Sequence, residues 1–107
     1  MSQAINGVAL YDVFSAGYRN LKQNMAVVND LNVFPVPDGD TGTNMVYTLG
    51  GGFNSTRPQE NVGEYLEALA RAVLLSARGN SGVIFSQFIR GFARGLKGKE
   101  KLVFADL

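Results

Sequence analysis

The chain contains no cysteine, no histidine and no tryptophan. Without cysteine there is neither a disulfide framework nor a zinc–thiolate site, and without histidine the commonest general base and zinc ligand is missing. The chemistry left is that of carboxylates, hydroxyls, amides and basic side chains, a set suited to oxygen-ligated Mg²⁺ and to phosphate. No apolar run approaches the ~20 residues of a membrane span. Met1-Ser2-Gln3-Ala4 has neither the basic nor the apolar region of a secretion signal. The reading is a soluble, cytoplasmic protein. Net charge is only +1, which argues against nucleic-acid binding driven by bulk electrostatics.

What is present is an ordinary globular balance, 46% hydrophobic and 18% charged, which excludes wholesale disorder. At 107 residues there is room for one small domain. Apolar residues at Tyr11, Phe14, Tyr18, Leu21, Met25 and Val28 recur at alternating steps of three and four, a helical stripe. The spacing predicts one helix from about Gly7 to Asp30. A second helix is expected near Thr43, with Met45, Val46 and Leu49 on its buried side. Gly50-Gly51-Gly52 is either that helix's end or a close-packing site.

Asn61-Val62-Gly63-Glu64 is a capping-box-like start for a third helix, whose apolar face is Tyr65, Leu66, Leu69, Ala72, Val73 and Ala77. Gly79 is expected at C′ of that helix. Ser81 is expected to cap a fourth, with Ile84, Phe85, Phe88, Phe92 and Leu96 inward. The fold class is all-α.

The most informative stretch is Asn32-Val33-Phe34-Pro35-Val36-Pro37-Asp38-Gly39-Asp40-Thr41-Gly42-Thr43-Asn44-Met45. Pro35 and Pro37 fix their own φ and push the residues before them into extended backbone. Asp38 and Asp40 stand one glycine apart, able to converge on one hard cation where Gly39 permits a tight turn. The competing reading is an Asp-Gly turn that caps the following helix. An EF-hand beginning at Asp38 fails at Gly42, Thr43 and Leu49, which stand at its fifth, sixth and twelfth positions.

A second motif is Ser76-Ala77-Arg78-Gly79-Asn80-Ser81-Gly82-Val83, two glycines flanking Asn-Ser between helices. Unpaired N–H groups at the start of the fourth helix would suit phosphate, although a purely structural turn has the same composition. The Gly-Lys-Ser/Thr ending of a Walker loop is absent. Seven of the ten Lys and Arg residues lie between Arg71 and Lys101. Arg90 and Arg94 share a helical face that reads as solvated, and Arg78 abuts the glycine turn, within reach of a phosphate or a carboxylate.

The two loops together resemble those of the DhaL-type domain, the ATP-binding module of dihydroxyacetone kinases. The likeness is greatest to the branch at the N-terminus of bacterial fatty acid kinase, which works with DegV-like fatty-acid-binding proteins. It rests on the stretch Leu31 to Met45 and on Ala77-Arg78-Gly79-Asn80-Ser81-Gly82-Val83-Ile84, supported by Ile5-Asn6-Gly7 and Gln87-Phe88-Ile89-Arg90-Gly91.

The resemblance implies an antiparallel helical barrel that binds Mg²⁺ and ATP at one end. It implies metal binding by Asp38 and Asp40, with Asn32 nearest the position of a further metal-binding aspartate in the family. It places the phosphates at Gly79, Asn80, Ser81 and Gly82, with Thr41 and Asn44 able to contact phosphate or metal-bound water. The expected activity is transfer of the ATP γ-phosphate to a small acceptor, most simply a fatty acid carried by a DegV-like partner. No catalytic nucleophile is expected in this chain, and nucleic acid is not an expected partner. Because the family domain is longer and Leu102–Leu107 reads as an element just beginning, residues 1–107 are expected to be its N-terminal portion, about four helices. The alternative is a non-catalytic helical binding fragment that keeps both loops.

Overall fold

The computed structural model describes residues 4–31 and 39–103. The elements are β1 (Ala4–Ile5), α1 (Gly7–Gln23), α2 (Met25–Asp30), α3 (Thr41–Asn54), α4 (Val62–Ser76), α5 (Gly79–Gly95) and β2 (Leu102–Val103). The architecture is all-α. Its two short strands pair antiparallel, Ala4 opposite Val103 and Ile5 opposite Leu102, and tie the two ends of the described chain together.

Helix α4 is the centre of the molecule, packed against α3, α5 and α1. Its capping is as the sequence predicts: the Asn61 side chain accepts from the Glu64 N–H at 2.9 Å, satisfying one of the donors a helix start leaves unpaired. Tyr65, Leu66, Leu69 and Val73 line its inner face and are fully buried. Each buried aliphatic there contributes about 1.5–3 kcal/mol. Leu10 of α1, Leu49 and Phe53 of α3, and Ile89 of α5 close the core around them. Tyr11 bridges α1 to both neighbours, edge-on to Phe53 at 5.6 Å and to Tyr65 at 5.7 Å.

Three expectations need correction. The first helix is not continuous to Asp30 but breaks at Asn24. There the Asn24 side-chain amide donates to the Asn20 carbonyl at 2.8 Å, alongside the backbone bond from the Asn24 N–H to the same carbonyl at 3.2 Å, a local side-chain-to-backbone bond typical of Asn where regular helix gives way. The fourth predicted helix, α5, starts at Gly79 rather than after a Ser81 cap. Ala77 and Arg78 are extended (ψ 129° and 126°) and carry the chain out of α4, so Gly79 opens α5 and is not the C′ residue of α4.

The inner face of α5 is also rotated from the expected one. Ile84 and Phe88 are 69% and 67% exposed, while Gly82, Ser86, Ile89 and Leu96 are buried and Phe85 and Phe92 half-buried. Small residues face inward because α3 approaches closely, and a Cβ on Gly82 would overlap Thr48 Oγ1.

The glycine triplet settles as a packing site within α3. A Cβ on Gly50 would stand 2.7 Å from Tyr18 Oη, one on Gly51 would overlap the Ser76 hydroxyl, and one on Gly52 would overlap Val73 Cγ2. Two helices, α1 at Gly50 and α4 at Gly51 and Gly52, thus approach α3 at successive positions, which outweighs the roughly 1 kcal/mol that each helical glycine costs.

Candidate functional site

The site is built where two helices begin. Helix α3 starts after Asp40 and α5 after Arg78, and the two N-termini meet at Asn44 and Gly79. A Cβ on Gly79 would overlap Asn44 Nδ2 and stand 2.9 Å from Asn44 Cγ. Gly79 also has φ +71°, in the left-handed region that glycine tolerates best. Thr48, one turn beyond Asn44 and fully buried, accepts from the Arg78 N–H at 3.1 Å through its hydroxyl. The acidic-loop helix and the glycine turn are therefore locked together, although more than thirty residues separate them in sequence.

Among the described residues, the start of α3 is not capped by an aspartate side chain. Asp40 occupies the N-cap position but makes no side-chain capping bond. Asn29 of α2 caps instead, accepting from the Thr43 N–H at 3.0 Å and donating to Thr43 Oγ1 at 2.9 Å. A Cβ on Gly42 would stand 2.6 Å from the Met25 carbonyl oxygen, so α2 lies tight against this turn. Asp40 is exposed, and the Asp-Gly capping alternative, which concerns Asp38, lies outside the described residues. Asn44 sits one turn on, its N–H bonded to the Asp40 carbonyl at 2.9 Å, and is buried.

Among the described residues no side chain caps the start of α5, unlike α1 and α4, which are capped by Asn6 and Asn61, and its first turn has no acidic residue. Helix N-termini carry about half a positive charge and project N–H groups, so an uncapped one attracts anions. Gly79 and Asn80 are exposed there, Ser81 is half-buried and Gly82 is buried. The Arg78 guanidinium lies over the Tyr47 ring, 5.1 Å from its centroid.

Of the residues singled out from sequence, Asp40, Thr41, Asn44, Gly79, Asn80, Ser81 and Gly82 fall at these two adjoining helix starts. Asn32 and Asp38 lie outside the described residues. Among the described residues no three acidic side chains form a metal cluster. Sequence reasoning missed Asn29, Tyr47 and Thr48. A buried threonine in mid-helix left one weak signal, a polar residue on the inward side of Leu49 and Phe53. Asn29 left none, since its cap reaches across fourteen residues.

A cavity of about 430 Å³ lies elsewhere, between α4, from Gly63 to Leu74, and the last part of α5. Its rim is Arg71, Arg90, Arg94 and Lys97 over a floor that includes Ala70 and Ala93. At 1.5 Å per residue, Arg90 is about 16 Å along α5 from Gly79. Arg71 pairs loosely with Glu67 at 3.9 Å, both side chains well exposed, which fits the solvated basic face expected there.

A family model described as the DAK2 domain matches residues 35–107. The chain belongs to the DAK2 domain family. The matched region takes in part of the acidic loop and the whole of the glycine turn. An uncharacterized protein of Staphylococcus epidermidis is 42% identical over 104 residues, covering 95% of this chain and 19% of that protein. Protein YloV of Bacillus subtilis is 41% identical over 102 residues, covering 94% of this chain and 18% of YloV. An uncharacterized protein of Staphylococcus aureus is 41% identical over 104 residues, again 95% and 19%. The chain thus spans about a fifth of the length of these relatives. This DAK2 domain is a dihydroxyacetone-kinase-like domain with an all-α fold, and no helix among its described residues is long and apolar enough to cross a membrane.

Proposed function

We propose that this DAK2 domain is the Mg²⁺–ATP-binding part of a cytoplasmic kinase. The observation that carries the reading is the approach of Gly79 to Asn44. It brings an uncapped, acid-free helix start and the acidic-loop helix to one place, with Asp40 one turn from the contact. The donor set fits the group: carboxylate, hydroxyl and amide oxygens suit Mg²⁺, and projecting N–H groups suit phosphate.

Asp40 and Asp38 would hold the metal, with Asn32 a third oxygen donor. The N–H groups from Gly79 to Gly82 and the Ser81 hydroxyl would hold the nucleotide phosphates. Thr41 and Asn44 would orient phosphate or metal-bound water. Bound metal supplies charge neutralisation on the phosphate oxygens. The residues of this chain do the rest by positioning, which is most of what phosphoryl transfer requires and explains a site without histidine or cysteine. The acceptor in this reading is a fatty acid presented by a DegV-like partner, which brings its own nucleophilic oxygen.

The test is a pair of variants read for nucleotide binding and for helicity. Asp38→Asn and Asp40→Asn should each abolish Mg²⁺-dependent ATP binding with the far-ultraviolet circular dichroism unchanged. Helicity lost together with binding would favour a structural role for the loop.

A further inference from the structure

Arg78 has no assigned role so far, and its setting is unusual for a surface arginine. It is fixed at both ends: its N–H is bonded to buried Thr48 at 3.1 Å, and its guanidinium lies over the Tyr47 ring at 5.1 Å. Tyr47 itself is 57% exposed, so the ring is not merely core packing. No carboxylate pairs with Arg78 among the described residues, where the ion pair formed is Arg71 with Glu67. The guanidinium is therefore a cation held in place without an anion partner among the described residues, directly before a start of α5 that no described side chain caps.

An arginine stacked on an aromatic face keeps its in-plane N–H donors available, because the ring engages the face of the guanidinium and not its edge. We infer that Arg78 is a further phosphate-binding residue of this site, contacting the terminal phosphates of a nucleoside di- or triphosphate, and that Tyr47 positions it. This rests on the nucleotide reading of the site above. The chemistry specifies the ligand: a guanidinium edge makes paired hydrogen bonds to two oxygens of one phosphate. It adds a fixed positive charge to the partial charge of the helix start. The consequence is discrimination by phosphate number, since a monophosphate already held by the Gly79–Gly82 N–H groups gains nothing from it.

The experiment is calorimetric titration of the full chain, with Mg²⁺, against ATP, ADP and AMP, for the native protein and four variants whose folding is checked by thermal melting. Arg78→Gln should weaken ATP and ADP binding about tenfold to a hundredfold and leave AMP within about twofold. Arg78→Lys, which keeps charge but loses the planar fork, should fall between. Tyr47→Leu should weaken ATP binding about threefold to tenfold, and Tyr47→Phe, which keeps the ring face, should behave as native. Unchanged ATP affinity in Arg78→Gln, or an equal loss for all three nucleotides, overturns the assignment while leaving the nucleotide site standing. Absence of metal-dependent ATP binding by the native chain overturns both, and is distinguished by appearing before any variant is made.

Discussion

Gly79 and Asn44 are in direct contact, with no room between them for so much as a methyl group. That contact joins the two motifs that sequence analysis could only place side by side on a line. It also makes Gly79 subject to two constraints at once, a φ of +71° and an occupied space where a Cβ would go. Gly79→Ala should therefore destabilise the fold by about 2–4 kcal/mol, summing left-handed backbone strain and overpacking. The variant Gly98→Ala, with φ +82° but open space around it, should lose only the strain, about 1 kcal/mol. Urea denaturation of the pair separates the two effects. Equal losses would mean that the Asn44 contact is soft.

Helix propensity and packing make opposite predictions at Gly52. Propensity alone says that Gly52→Ala stabilises α3 by about 1 kcal/mol. The structure places Val73 Cγ2 where the new methyl would go and Val73 Cα 3.4 Å away, so the substitution should instead cost about 1–3 kcal/mol. Gly91 is the control: it is helical, exposed and has nothing within 4 Å of its Cβ position. Gly91→Ala should stabilise by about 0.5–1 kcal/mol. Thermal melts of both variants check the sign.

Asn29 holds the start of α3 from another helix. Its side chain makes two bonds to Thr43, at 3.0 and 2.9 Å. Asn29→Ala should cost about 1–2 kcal/mol, the range for a lost cap. Amide hydrogen exchange should show faster exchange at Thr43 and its neighbours in the first turn of α3, with α4 unchanged. Uniform acceleration across the molecule would contradict a local capping role.

Tyr65 gives the fold an alkaline limit. Burial pushes its phenol up to about 12 from the usual 10.0, against a lowering contribution from the Thr56 hydroxyl and with a further rise from Tyr11. The Thr56 hydroxyl is bonded to the Gly52 carbonyl at 3.0 Å, and Tyr65 Oη itself makes no direct hydrogen bond among the described residues. Below pH 10 folded and unfolded chains both keep this proton, so the contribution is fully present. From pH 10 to about 12 the unfolded chain releases it first, and stability falls by roughly 2–3 kcal/mol. Tyr65→Phe should remove that slope and leave stability at pH 7 unchanged or up to about 1 kcal/mol higher, since it deletes a buried hydroxyl lacking a partner. Chemical denaturation at pH 7, 10 and 11.5 reads both effects.

These cases show where sequence was sufficient. Periodicity located α4 and its cap because both signals are local: an Asn three residues before a Glu, then apolar residues on one side. The acidic loop and the glycine turn were legible as motifs for the same reason. Their meeting at Asn44 and Gly79 was not, because only the packing of α3 against α5 decides it. The inner face of α5 was misread by following large apolar residues. Close helix approach reverses that rule, burying Gly82 and Ser86 and leaving Ile84 and Phe88 outside. At the break the Asn24 side chain also bonds the Asn20 carbonyl, a feature invisible to the helical stripe, which runs straight through it.

The central claim is that two helix starts form one metal-dependent nucleotide site, and calorimetric titration of ATP into the folded chain tests it most directly. With Mg²⁺ present the account predicts saturable binding at one site, abolished by EDTA and by Asp40→Asn. A chain with full helical circular dichroism that binds no ATP, or binds it equally well in EDTA, would contradict it.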